Sequence, residues 1–132
     1  MYLLDTNVCI HLLNQDAPAI RTHFKGHTPS DIALCSVVKA ELFYGARHSQ
    51  RVEVNLRKLK HFFAPLQSLP FDDRCAEEYG QIRNDLFVQG KPIGPNDLLI
   101  AAIARAHDAV LVTHISNEFG RIAGLRMEDW EV

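Results

Sequence analysis

The sequence has no excess of positive charge: 14 Lys and Arg stand against 16 Asp and Glu, a formal net charge of −2. Binding of nucleic acid through overall charge is thereby excluded, whereas a local basic face is not. Cysteine is scarce. Cys9, Cys35 and Cys75 are odd in number, form no CxxC pair and sit in apolar stretches. A disulfide framework is not expected; reduced thiols and a cytoplasmic setting are. The seven histidines are scattered without ligand spacing, so no histidine-rich metal motif is expected. No apolar stretch approaches the ~20 residues of a membrane-spanning helix, and Asp5 interrupts the N-terminal apolar run, so no signal peptide is expected. There is no internal repeat and no linker. At 132 residues and 47% hydrophobic content, a single folded domain over 1–132 is expected.

What is present alternates. "YLLD" (2–5) reads as a short buried strand, and Thr6 to Leu13 as a helix. Pro18 can open a second helix, and "GHTPSD" is a loop. "IALCS" reads as a second strand with Ser36 as N-cap of the helix "VVKAELFYGA". Val52, Leu56, Leu59 and Phe63 stripe a third helix that Pro65 stops. "LQSLPF" is a short strand or extended link. Asp72 caps a long helix bearing Cys75, Tyr79, Ile82 and Leu86, which Gly90 closes. Pro95 suits the first turn of the Ala-rich helix "NDLLIAAIARAH". "AVLVT" is the clearest strand, with a helical piece near Glu118 to Arg121 and a last strand near Leu125 to Met127 to follow. Short apolar strands alternating with helices imply parallel pairing and right-handed crossovers. The expected fold is a three-layer α/β/α sandwich, with ligands bound beyond the carboxyl ends of the strands.

Four acids recur near that address. Asp5 ends strand one, Asp97 lies in the first turn of the Ala-rich helix, and Glu118 follows "AVLVT" by a short turn. Glu41 lies one and a half turns into its helix, the only acid among Val37, Val38, Ala40, Leu42 and Phe43. Alone, each has an ordinary explanation: Asp5 or Thr6 as a cap, Asp97 as a partner of the helix dipole, Glu118 as a solvated acid. Glu41 fits such an explanation least, because an ionised group on an apolar face is costly unless paired or bound to metal. Converging carboxylates raise one another's pKa, and a hard divalent cation relieves the repulsion. Oxygen donors without clustered His or Cys point to Mg²⁺ or Mn²⁺, held chiefly by Asp5 and Asp97. Asn7, Asn96, Thr113 and Ser116 can orient the acids and metal waters. Phosphodiester hydrolysis is the chemistry these groups suggest.

At these residues the chain resembles a known family. "LLDTNVCIHLL", "SVVKAELFYGA", "GKPIGPNDLLIAAIA", "LVTH" and "EFGRIAGLRMEDW" together resemble the PIN-domain ribonuclease toxins of VapBC toxin–antitoxin pairs, in order and over nearly the whole chain. The resemblance implies a Mg²⁺-dependent endoribonuclease acting on structured RNA such as tRNA or rRNA. It also implies a homodimer and a small VapB-like antitoxin that blocks the acidic pocket, with DNA contacted only through that antitoxin. Asp5, Glu41 and Asp97 match the family's three core acids, and Glu118 the acid near the fourth strand. Ile115 departs from the pattern, which commonly has Asn there, and its presence shifts weight onto Glu118 and Ser116.

Arg47, His48, Arg51, Arg57, Lys58, Lys60 and His61 form the densest basic stretch. Such a run is usually a solvated helix face; beside the Glu41 helix, Arg47, Arg51, Arg57 and Lys58 become candidates for RNA phosphates. His114 follows a strand end near the acids, where a general-base role is open but a place at the surface or behind the acids is the expectation; Phe43 and Tyr44 are expected in the core or a dimer contact. Leu12 and Leu13 are candidate docking points for an inhibitor, with core packing as their default. Two other classes fit less well: a phosphatase or phosphotransferase with a strand-end nucleophilic Asp, disfavoured because Asn7 stands where a second acid is needed, and a degenerate binding domain, disfavoured by retention of all four acids.

Overall fold

The computed structural model describes residues 1–132. The elements run β1 (Tyr2–Leu4), α1 (Thr6–Asn14), α2 (Pro18–Lys25), a 3₁₀ turn (Pro29–Asp31), β2 (Ile32–Cys35), α3 (Ser36–Arg47) and α4 (Val52–Phe63). They continue with β3 (Gln67–Leu69), α5 (Asp73–Gln89), α6 (Pro95–Ala106), β4 (Val110–Val112), α7 (Ser116–Phe119) and β5 (Arg126–Glu128). All four strand pairings are parallel, in the order β3-β2-β1-β4-β5. Leu4 faces Val112 and Leu3 faces both Ala33 and Leu111, so β1 is the centre of the sheet.

The chain winds outward from β1 through β2 to β3, then crosses back to β4 and β5. Right-handed crossovers therefore send α1–α4 to one face and α5–α6 to the other, giving the expected sandwich. The strand order reverses between β1 and β4, and in open parallel sheets the crevice at such a reversal is where ligands bind. Both flanking strands are buried: Leu3, Leu4, Leu111 and Val112 are fully covered. They form the floor of the core with Ile100–Ala104 of α6, the stretch in which alanine allows close approach to the sheet. No helix is long and apolar enough to cross a membrane.

Most boundaries follow the local chemistry read above. Asp5 caps α1, its Oδ1 accepting from Val8 N at 2.9 Å. Asp72 caps α5 through Cys75 N at 3.1 Å, and Gly90 ends it at φ 69°, where glycine carries no side-chain penalty. Pro18 and Pro95 open their helices. All three cysteines are free and buried.

Ser36 differs from expectation. The N-cap is Cys35, and Ser36 is already the first helical residue, with no side-chain cap bond. The cause is the length of β2, whose four buried residues end at Cys35 in extended geometry, so the chain turns one residue early. The helical piece near Glu118 likewise begins two residues sooner, at Ser116. Neither Phe43 nor Tyr44 belongs to the core: Phe43 meets Phe63 edge-on at 5.4 Å between ring centres but is 39% exposed, and Tyr44 is 68% exposed.

Candidate active site

Asp5 leaves β1 at the point where the strand order reverses, with its backbone N–H on Val112 O at 3.1 Å. It is 4% exposed and, with Thr113, one of only two buried polar residues in the molecule. Thr113 stands at the end of neighbouring β4, and its hydroxyl favours the charged form of Asp5. Thr113 Oγ1 also accepts from Ile115 N at 3.0 Å, which fixes its rotamer. Burial raises the Asp5 pKa; bonds from Thr113 and Val8 oppose the rise, and the charges of Glu131 and Glu41 add to it.

Glu41 comes in from α3. Thr6, the first residue of α1, donates from Oγ1 to Glu41 Oε1 at 2.7 Å, which ties the Glu41 carboxylate to the residue beside Asp5. Asp97 lies in the first turn of α6. Its pKa is raised to about 6 by burial, then by a shared hydrogen bond with Glu118 and that residue's charge, and then by Glu41 and Asp5. Asp97 therefore feels all three other acids, so the four carboxyls predicted from sequence occupy one electrostatic neighbourhood.

The supporting residues divide. Thr113 meets the acids directly. Asn7 and Asn96 line a rim groove with Thr6 and Glu41. Ser116 starts α7 and is exposed, with its backbone in the turn rather than its side chain on an acid. Of the basic candidates, Lys58 lines a groove of about 260 Å³ with Glu41, Ile10, Leu13, Leu42 and Leu59. Arg57 joins Lys58 in a second groove beside Leu12 and Leu13. Arg47 and Arg51 are exposed and line neither groove.

Three participants escaped the sequence reading. Thr6 was read only as a possible cap. Asp129 and Glu131 follow β5 and close on His114, whose Nδ1 lies 2.9 Å from Asp129 Oδ2 and 3.3 Å from Glu131 Oε2. The hydrogen bond to Asp129 and the two negative charges raise the His114 pKa. A signal exists: "MEDWE" runs out of a strand parallel to β4, and Asp129 and Glu131 come just after it, at the same end of the sheet as Thr113.

The donor set fits a divalent cation. The side chains that act on Asp5 and Asp97 are mainly carboxylates and the Thr113 hydroxyl, and after burial the rise in the Asp97 pKa comes from neighbouring carboxylates whose repulsion a cation would relieve. A consequence follows for the metal-free chain. Between the ordinary Asp value and about 6, the folded state holds a proton on Asp97 that the unfolded state has lost. Stability therefore falls as pH rises through that window. The raised His114 pKa acts in the same direction at higher pH, its contribution fading as pH climbs through its folded value. For a carboxyl still partly open to solvent, screening leaves about 1 kcal/mol of the Asp97 effect, or roughly 3 °C in melting temperature at this chain length. Melting in EDTA should give a higher Tm at pH 5 than at pH 7, and Asp97→Asn should shrink the difference. A Tm that rises steadily from pH 4.5 to 7 would contradict the assigned cluster.

Comparison with known proteins matches residues 2–125 to the PIN domain family. The tRNA(fMet)-specific endonuclease VapC of Shigella flexneri is 39% identical over 129 residues, covering 98% of this chain and 97% of that protein. Ribonuclease VapC2 of Rickettsia felis is 39% identical over 132 residues, at 99% and 98% coverage. The crystal structure of DNA-bound VapBC from Salmonella typhimurium superposes with a TM-score of 0.91 at 39% identity, covering 98% of this chain and 97% of that one.

Proposed function

The chain belongs to the PIN domain family, and from that premise we propose that it is the toxin of a type II toxin–antitoxin pair, a metal-dependent endoribonuclease that hydrolyses phosphodiester bonds of structured RNA. The reading is supported by the position of Asp5 where the strand order reverses, by the Thr6–Glu41 hydrogen bond beside it, and by the influence of Glu118, Glu41 and Asp5 on Asp97. Its nearly full-length relatives named as an RNA endonuclease and a ribonuclease support the substrate class.

Asp5 and Asp97 would hold Mg²⁺, with Mn²⁺ as substitute, and Glu41 and Glu118 would act partly through water. When bound, the ion supplies an activated water and neutralises charge on the phosphodiester. The chain's own residues set the geometry. Val8 N holds one oxygen of Asp5, and Thr113 favours its charged form. Thr6 fixes one oxygen of Glu41 and leaves the other free to accept a proton from attacking water. Lys58, in the groove that Glu41 also lines, is placed for an RNA phosphate.

The partner follows from charge and shape. A small VapB-like antitoxin would lay an apolar segment along Ile10, Leu13, Leu42 and Leu59. From there an Arg reaches the carboxylates, since a guanidinium pairs with two oxygens at once and tolerates partial burial. A homodimer is part of the same reading, and DNA is contacted only through the antitoxin.

One expression experiment tests both halves. RNA 5′ ends sequenced after induction should reveal new ends concentrated at a few sites in tRNA or rRNA. Co-expression of the adjacent small open reading frame should erase them. An unchanged end map, with folded protein present, overturns the ribonuclease reading.

A further inference from the structure

Far from the acids, at the opposite end of the α5–α6 hairpin, stands a second group of ligating side chains that the proposed nuclease does not use. Asp72 caps α5, Cys75 lies one turn into it, and His107 is the residue at which α6 ends. One donor atom from each lies within 4.8 Å of the other two. The thiol is fully buried, while Asp72 is exposed and opens the cluster to solvent.

A separate observation falls on the same residues. The Nε2 atom of His107 is the only buried side-chain nitrogen or oxygen in the protein without a hydrogen-bond partner. Such an orphan is costly unless water or an ion completes it. The other two residues have capacity to spare. Asp72 Oδ1 is used for Cys75 N, which leaves its second oxygen available, and Cys75 Sγ makes only weak contacts with Asp72 and with Pro70 O, the latter at 3.6 Å.

We propose that Asp72, Cys75 and His107 bind a transition-metal cation of the Zn²⁺ type, with water as the fourth ligand. Carboxylate, thiolate and imidazole together suit a borderline-soft ion and discriminate against Mg²⁺, which prefers oxygen alone. Binding releases the thiol proton to solvent as the S–metal bond forms. The ion would staple the start of α5 to the end of α6, ends already tied by Arg74 donating to the Ala106 carbonyl. The ligands are 32 residues apart between Cys75 and His107, too far for a sequence motif to reveal them.

The test is Co²⁺ titration of the full-length, metal-stripped chain in excess Mg²⁺, which saturates oxygen-only sites. A thiolate-to-cobalt charge-transfer band should appear, vanish in Cys75→Ala, and require at least ~10-fold more Co²⁺ in His107→Ala, since loss of even an outer-shell partner costs that much. Zn²⁺ should displace the band and raise the melting temperature of the wild type but not of His107→Ala. Absence of the band, its persistence in Cys75→Ala through Cys9 or Cys35, or an equal Zn²⁺ shift in wild type and His107→Ala overturns the site. RNA cleavage in Mg²⁺ is a separate readout, so failure here leaves the nuclease reading standing.

Discussion

Asp5→Asn and Asp97→Asn should each lower RNA cleavage in Mg²⁺ by roughly 10³-fold or more, equivalent to about 4 kcal/mol of barrier. Neither should unfold the protein. Asparagine is as good an N-cap as aspartate, so the bond from Val8 N survives at position 5. At position 97 the substitution removes a carboxyl that burial, Glu118, Glu41 and Asp5 all disfavour in its charged form. Metal-free Asp97→Asn should therefore melt at or above the wild-type temperature at pH 7. This opposition of effects separates a functional acid from a structural one, because a structural acid costs stability when neutralised. Glu41→Gln is the companion variant: it can still accept from Thr6 and loses only charge and basicity. Wild-type cleavage rates in Asp5→Asn or Asp97→Asn would sink the site assignment.

Chelation should have an effect of similar size. With EDTA in excess, cleavage should fall to background, and Mg²⁺ or Mn²⁺ should restore it. The carboxylates cannot replace the ion, since in its absence they place several negative charges where the phosphodiester must come and Asp97 begins to take up protons near pH 6. Restoration by metal should be pH-dependent, weaker at pH 5.5 than at pH 7.5, because the cation competes with the Asp97 proton. Full activity in EDTA would rule out the metal role while leaving the acids to be explained otherwise.

The acids could be found from sequence because strand ends and helix starts carry local signals. Asp5 follows an apolar run, and Asp97 follows Pro95 at the opening of α6. Parallel winding then implies that such positions share one edge of the sheet. Glu41 was legible by contrast, as an acid on an otherwise apolar stretch. What the sequence hid is side-chain pairing over distance. Nothing near Thr6 signals that its hydroxyl meets Glu41, 35 residues away, and nothing near His114 signals Asp129 or Glu131. The misplaced cap at Ser36 has the same origin. Ser is the better cap by type, but the pairing of Cys35 with Leu69 in β3 holds the thiol residue extended and decides where the helix begins. Likewise the basic run was visible, but only the packing of α4 beside α1 and α3 sets Lys58, and not Arg47 or Arg51, beside Glu41.

The central position of β1 also orders events during synthesis. Tyr2, Leu3 and Leu4 pair with Val110, Leu111 and Val112, which emerge more than a hundred residues later. Asp97 comes shortly before that strand and Glu118 after it. No ribosome-bound fragment that ends before Glu118 can assemble the four carboxylates, and one that ends before β4 lacks the neighbouring strand that holds Asp5 in place. Long-range parallel pairing is slow to form. The cluster of acids is therefore a late product of synthesis, assembled only once β4 and Glu118 have emerged.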